Sequence, residues 1–213
     1  MDRRESFFDH LAPAYDLEQY LFYAIRGWEI RRVHQTLPRF LTRAMSALEI
    51  GAGTGRFTCH IAPQVKQICA MDISKKMLSR IDVKAAKKNL RNITTLHGDM
   101  TAITVAEQFD AVVSFSAIEY IADHAPLFTR IGNLVKPGGF VYITTAHHTA
   151  LRSFIRFGNS LATGVSLRAS TLSELNQLLL INNFTIIELK DFFLKTPITK
   201  GLIVSLLAQK NHS

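Results

Sequence analysis

Three glycines and two acidic residues stand at the ends of two successive apolar runs, where an open parallel sheet binds its ligands. The stretch LEIGAGTGR places Gly51, Gly53 and Gly55 directly behind the first run. Glycines let a ligand approach the backbone closely, and the helix that follows offers unpaired N–H groups. Glu49 precedes the loop, and Asp72 ends the second run in AMDIS. The pattern indicates a ligand that contacts bare backbone at one strand end and a carboxylate at the next.

The spacing of the glycines disfavours a phosphate-bearing ligand. A dinucleotide fingerprint would need glycine at position 56, which is Arg56, and the Gly-Lys-Ser/Thr ending of a phosphate loop is missing. Glu49 suits a ligand with an ammonium group. Asp72 is placed to accept hydrogen bonds from ribose hydroxyls, although an acid at a helix start also favours the helix dipole. An NAD-dependent oxidoreductase is therefore disfavoured.

A third acid, Asp99 in the stretch HGDM, follows the next apolar run and could meet an adenine amino group. Ribose, adenine and ammonium without phosphate describe S-adenosylmethionine. We therefore predict S-adenosyl-L-methionine as the cofactor and S-adenosyl-L-homocysteine as its product.

Alternating strand and helix patterns position these residues. Near-continuous apolar strands separated by helices predict an α/β fold with a parallel sheet covered on both faces. Lysines between residues 75 and 88 mark a solvent-facing side of one helix, with Ser74 as its N-cap. After the last predicted helix, two strands follow each other directly, which predicts an antiparallel pair. The strands are predicted at 47–52, 67–73, 92–98, 109–116, 139–146, 184–194 and 201–210, and the helices at 55–65, 74–89, 121–135 and 171–183.

With five motifs in order, residues 47–146 resemble the class I S-adenosylmethionine-dependent methyltransferases: LEIGAGTGRF, AMDIS, HGDM, FDAVVSFSAIEYI and LVKPGGFVYITTA. The resemblance implies a three-layer Rossmann-like sandwich whose seven-stranded sheet has the order 3-2-1-4-5-7-6, with strand 7 antiparallel. We expect a single domain over 1–213, with a helical cap (1–45), a cofactor-binding core (46–146) and an acceptor-side part (147–213). The cofactor-binding residues are predicted to be Glu49, Gly51, Ala52, Gly53, Gly55, Asp72, Ile73, Asp99, Met100, Ser114 and Phe115.

The N-terminal stretch FDHLAPAYD resembles quinone-ring C-methyltransferases and bacterial phosphatidylethanolamine N-methyltransferases. In that group the segment folds over the cofactor, which makes Tyr15 and Tyr20 candidates for the pocket. The alternative is that these aromatic residues only pack a capping helix. The stretch AHHTA after the fifth strand does not match the quinone family.

Methyl transfer from a sulfonium needs alignment more than acid–base chemistry, so no catalytic triad is expected. A hydroxyl acceptor would need a general base, for which His147 and His148 are candidates beside Tyr15. The alternative for the two histidines is polar surface. Two ligands without a third make a poor metal site, and none is predicted.

Residues 147–168 follow the fifth strand and have an amphipathic helical pattern. Leu151, Phe154, Ile155 and Phe157 fall near helical spacing, with Arg152 and Arg156 away from them. This pattern is typical of a cover helix packed on the sheet. It also suits a lid or interfacial contact for an apolar acceptor with an anionic head.

The net charge of +8 and the pI near 9.7 allow solubility charge, nucleic acid, anionic lipid or an anionic small molecule. Cys59 and Cys69 lie in apolar segments and predict neither a disulfide nor a zinc site. The sequence shows no secretory signal or membrane span, so we expect a cytoplasmic protein, with peripheral membrane contact left open.

The preferred interpretation is a methyltransferase acting on a mostly apolar small-molecule or lipid-like acceptor. An RNA methyltransferase and a non-catalytic S-adenosylmethionine-binding partner protein are the alternatives. Adenine-N6 methylation is disfavoured by SFSA after the fourth strand, and the oligomeric state is open.

Overall fold

The described part of the chain forms two compact units, residues 1–103 (unit 1) and 104–213 (unit 2). The structure is a computed structural model that describes residues 2–17, 23–102, 106–148, 165, 167–192 and 201–212, with the backbone alone for 23–26. Helix α1 spans Arg3–Leu11, and helix α2 spans Tyr23–Thr36. Tyr20 lies outside the described residues. So does most of the predicted helix at 147–168, of which only 147, 148, 165, 167 and 168 are described.

Unit 1 contains three parallel strands, β1 (Ser46–Ile50), β2 (Gln67–Asp72) and β3 (Ile93–His97). Strand β1 pairs with β2, and β2 pairs with β3. Strands β1 and β2 are buried over most of their length, as is typical of strands covered on both faces. Because the strands are parallel, the loops that follow them leave from one edge of this part of the sheet.

Two further helices lie in the described part of unit 1, α3 (Thr58–Ile61) and α4 (Lys75–Lys87). Helix α4 buries the side chains of Met77, Leu78, Ile81 and Ala85. As predicted, Ser74 caps its start by accepting the N–H of Met77 at 3.1 Å. Helix α3 is much shorter than the predicted 55–65. Gly55 has a φ of +80°, and Pro63 has no N–H to donate, so the segment continues after Ile61 only as a 3-10 turn.

Unit 2 contains β4 (Phe109–Phe115), β5 (Val135–Ala146), β6 (Phe184–Phe192) and β7 (Ile203–Lys210). Strands β4 and β5 are parallel, whereas β7 runs antiparallel to both β5 and β6. Helices α5 and α6 span His124–Leu134 and Leu172–Ile181. Strand β5 begins four residues earlier than predicted, and Gly138 within it takes a φ of +75°.

The seven strands have the order β3-β2-β1-β4-β5-β7-β6, which confirms the predicted α/β Rossmann-like fold. Of the two cysteines, Cys59 is buried and Cys69 is half-buried. Within the described ranges, no helix is long and apolar enough to cross a membrane. The single-domain organisation stays a prediction.

Candidate functional site

The glycine loop after β1 closes back onto β2 through its backbone. The N–H groups of Gly51 and Ala52 both donate to the carbonyl of Met71, at 2.8 and 2.9 Å. Gly53 and Gly55 have φ values of +54° and +80°, in the left-handed region where a side chain is strained. A Cβ on Gly55 would also lie 2.9 Å from a side-chain carbon of Ile81. The loop conformation therefore requires the glycines.

Asp72 ties this loop to the start of helix α4. Its Oδ2 accepts the N–H of Gly53 at 2.7 Å, and its Oδ1 accepts the N–H of Ser74 at 2.9 Å. The side chain is buried, and burial raises its pKa, against the lowering effect of the N–H groups. Asp72 thus stands at the end of β2, where the sequence placed it, and also acts as an acceptor at a helix start.

Glu49 is the most buried acid at this edge, at 2% exposure. The Thr58 hydroxyl donates to its Oε2 at 2.6 Å. Burial raises the pKa of Glu49 to about 8, and the negative charge of Asp72 adds to the effect although the Thr58 hydrogen bond opposes it. Glu49 is therefore mostly protonated at pH 7, and a cation beside it would favour its charged form.

The third loop, after β3, presents Asp99 with both carboxylate oxygens engaged. Its Oδ1 accepts the backbone N–H and the hydroxyl of Thr101, each at 2.8 Å. Its Oδ2 forms an ion pair with Arg4, which also binds Asp2 at 2.6 Å. Ile73 and Met100, which the sequence also placed in the site, are half-buried in the loops after β2 and β3.

Residues 2–17, here called the N-terminal segment, contact all three loops. On the third loop, Arg4 pairs with Asp99. On the second loop, Asp9 accepts a hydrogen bond from the Ser74 hydroxyl at 2.5 Å. On the first loop, the Tyr15 ring comes within 3.7 Å of where a Cβ on Gly53 would stand. The structure therefore places Tyr15 over the glycine loop.

Asp16 holds the end of the N-terminal segment to unit 1. Its Oδ1 accepts the Thr54 hydroxyl at 2.6 Å and the Lys84 ammonium at 2.8 Å, and Lys84 also donates to Thr54 at 3.0 Å. The sequence interpretation of Lys84 as a solvent-facing lysine was wrong, because this half-buried residue reaches Asp16. No pattern in the sequence pointed to a role at the site for Arg4, Asp16 or Lys84, because only the folded chain brings these side chains to the loops.

The remaining candidates lie in unit 2. At the end of β4, Ser114 is fully buried and the ring of Phe115 meets Tyr142 edge to face at 5.7 Å. His148 is exposed. His147 is only 2% exposed, and its Nδ1 lies 2.7 Å from the carbonyl oxygen of Gly201.

The Gly201 contact fixes the tautomer of His147. A carbonyl can only accept, so Nδ1 carries the proton and Nε2 is left as the basic nitrogen. Asp191 lies 3.7 Å from Nδ1 and accepts the N–H of Gly201 at 2.8 Å. The alternative of exposed polar surface is therefore wrong for His147. Among the residues that the structure describes, no three His, Cys, Asp or Glu side chains are grouped to hold a metal ion.

Comparison with known proteins agrees with this arrangement. The family described as "Methyltransferase domain" matches residues 48–143. An uncharacterized methyltransferase of Mycobacterium bovis is 35% identical over 107 residues, which are 50% of this chain and 53% of that protein. The chain thus spans about half the length of this relative. The ubiquinone biosynthesis O-methyltransferase of Albidiferax ferrireducens is 25% identical over 154 residues, 66% of this chain and 61% of that protein.

Among solved structures, the DhpI–SAH complex has a TM-score of 0.76 and 16% identity, covering 99% of this chain and 97% of that one. That likeness concerns the fold. The family match shows a methyltransferase domain at residues 48–143, and the strand order and this structural likeness show the fold of the class I S-adenosylmethionine-dependent methyltransferases.

Proposed function

We propose that the protein transfers a methyl group from S-adenosylmethionine to an apolar small-molecule or lipid-like acceptor and releases S-adenosylhomocysteine. The observation that carries the proposal is the set of three acids at successive strand ends of unit 1, beside a glycine loop that lacks the dinucleotide and phosphate-loop fingerprints. Glu49, Asp72 and Asp99 match the ammonium, ribose and adenine of this cofactor. The match of residues 48–143 to the methyltransferase domain supports the same donor.

The proposed roles use groups that the structure describes. Asp72 keeps lone pairs for ribose hydroxyls beyond the two backbone N–H groups that it accepts. The loop backbone from Gly51 to Gly55, including Ala52, would contact the methionine part of the cofactor, because glycines allow close approach to the backbone. Ile73 and Met100 would flank the adenine. Ser114 and Phe115 remain contacts that the family resemblance predicts.

The chemical step is an in-line displacement. The carbon–sulfur bond of the sulfonium breaks as the acceptor–carbon bond forms, and sulfur keeps the electron pair. The protein contributes alignment and exclusion of water, because the donor is already activated. For a hydroxyl acceptor, we propose Nε2 of His147 as the base, because the contact between Nδ1 and the Gly201 carbonyl selects the neutral tautomer in which Nε2 carries the lone pair.

Two observations favour an apolar or lipid-like acceptor over the alternatives. The N-terminal segment, which resembles that of quinone and phospholipid methyltransferases, lies over the glycine loop through Tyr15. A relative that matches 66% of this chain is a ubiquinone biosynthesis O-methyltransferase. An RNA acceptor has the basic net charge in its favour. It predicts binding that falls steeply with salt, whereas an apolar acceptor predicts little salt effect.

The test is a labelled-methyl transfer assay on host cell extract, followed by solvent partition and by nuclease or protease treatment. Label in the organic phase supports the lipid-like acceptor. Aqueous label that nuclease releases reassigns the protein to RNA. Binding of S-adenosylhomocysteine without transfer to any fraction supports the non-catalytic partner protein. The Asp72→Ala variant supplies the background, because it keeps every acceptor-side residue.

A further inference from the structure

Helix α2 and the turn after it form a basic region that the proposed site does not use. Positions 19–48 contain five arginines, no lysine and a single acid, Glu29. Glu29 is fully buried, whereas Arg31, Arg39 and Arg43 are exposed. The exposed charge of this region is therefore entirely positive.

An exposed tryptophan stands on the same helix. Trp28 is 54% exposed, and the guanidinium carbon of Arg31 lies 5.6 Å from the centre of its ring. Arg32 and Gln35 follow at the helical spacing that brings them to the same face. The "α2 surface" comprises Trp28, Arg31, Arg32 and Gln35. Large aromatic residues are mostly buried, so an exposed one beside a cation is informative.

Helix α4 offers a contrast within the same unit. Four lysines of residues 75–88 are exposed: Lys75, Lys76, Lys87 and Lys88. The exposed Asp82 lies among them, and residues 75–88 include no aromatic side chain. Lysines alone on a helix form an ordinary solvated face. The α2 surface differs because it pairs an indole ring with arginines and has no exposed acid.

We propose that the α2 surface binds the protein to an anionic lipid surface. An indole ring prefers the boundary between headgroups and acyl chains, where its apolar body is buried and its N–H stays wet. Arginines bind lipid phosphates in pairs of hydrogen bonds and are attracted by an anionic leaflet. The inference goes beyond the proposed function, because lipid binding requires no methyl transfer.

Among the described side chains of helix α2, Trp28 is the one exposed aromatic residue, which favours lipid over nucleic acid. Proteins that bind single strands stack successive bases on several aromatic side chains along a groove. Trp28 instead stands on the outer face of a helix, with a single exposed indole and arginines around it. A lipid interface needs only such an indole ring with cations beside it.

Trp28 is the only tryptophan in the chain, so its fluorescence reports on the α2 surface directly. The full chain is titrated with vesicles of phosphatidylcholine alone and of phosphatidylcholine with phosphatidylglycerol. We expect a blue shift of the emission with the anionic vesicles only, reversed by high salt. Brominated acyl chains should quench the emission. Anionic vesicles that leave the emission unchanged would overturn the proposal.

Vesicle sedimentation with matched variants locates the contact. Arg31→Ala should weaken partition to anionic vesicles about fivefold, because each arginine at the surface contributes on that order. Lys87→Ala removes the same charge from helix α4 and should change partition less than twofold. Trp28→Ala should weaken partition, and Val83→Ala, which also truncates a side chain that is 54% exposed, should not.

Two results would contradict the assignment. Equal losses in Arg31→Ala and Lys87→Ala would mean that net charge, rather than the α2 surface, governs partition. A blue shift with an RNA oligonucleotide but not with vesicles would reassign the surface to nucleic acid. Because none of these measurements involves transfer or cofactor, their failure leaves the proposed methyl transfer to its own assay.

Discussion

The glycine loop and the N-terminal segment meet at the same place in unit 1, yet different bonds hold them there. The loop is fixed by its backbone, through N–H groups that donate to Met71 and Asp72. The N-terminal segment is attached mainly through side chains, with Asp9, Asp16 and Arg4 as its anchors. The first arrangement tolerates few changes of sequence. The second can be loosened one contact at a time.

The largest effect is expected from Gly55→Ala, which attacks the backbone-fixed loop. The left-handed φ and the 2.9 Å approach to Ile81 together should lower the free energy of unfolding by about 3 kcal/mol, measured by denaturant titration. Gly53→Ala is the matched control, because its Cβ would meet Tyr15 at an ordinary 3.7 Å. It should cost about 1 kcal/mol. Equal losses would mean that packing against Ile81 plays no part.

Asp72→Ala should weaken binding of S-adenosylhomocysteine by roughly 1–3 kcal/mol, because a charge-assisted hydrogen bond to ribose is lost. Isothermal calorimetry measures the change directly. Asp82→Ala removes an exposed acid from helix α4 and should leave the affinity unchanged. An Asp72 variant with normal affinity would rule out the ribose role.

The buried carboxyl of Glu49 makes cofactor binding depend on pH. Its pKa of about 8 leaves it protonated at pH 6, and only the carboxylate attracts the ligand's ammonium group. The affinity for S-adenosylhomocysteine should therefore rise with pH, by up to about tenfold per unit between pH 6 and 7.5, with a proton released on binding. Calorimetry in buffers of different ionisation enthalpy measures that proton. Glu49→Gln should abolish the pH dependence, and a slope that survives this substitution would assign it to another group.

The smallest effect is expected from Asp16→Asn, which loosens the N-terminal segment. Asp16 and Lys84 are partly exposed, so the loss of stability should stay below about 1 kcal/mol. Trypsin cleavage at Arg3 and Arg4 should nevertheless become faster, and S-adenosylhomocysteine should dissociate faster. Asp110→Asn breaks the similarly exposed ion pair with Lys136 in unit 2 and serves as the control. Unchanged cleavage in Asp16→Asn would show that this contact does not hold the segment.

The same contrast explains which features the sequence could predict. Strand β2, Asp72 at its end and the Ser74 cap follow from short-range patterns of apolar residues and helix-start signals. The Asp16–Lys84 contact joins residues 68 positions apart, and Arg4–Asp99 joins residues 95 apart. No local pattern encodes such pairs, so Lys84 was assigned to solvent and Arg4 was not considered. The length of α3 was overestimated because the helical pattern outweighed Gly55 and Pro63.

The ion pair between Arg4 and Asp99 has a kinetic consequence. If Asp99 receives the adenine as proposed, Arg4 must first release that carboxylate, and it can return only after the nucleoside has left. Donor loading and product departure then share one step, the exchange of Arg4 for the adenine on Asp99, which is independent of the acceptor. Where this exchange is slower than methyl transfer, good and poor acceptors turn over at the same rate, and the chemical step is seen only in single-turnover measurements.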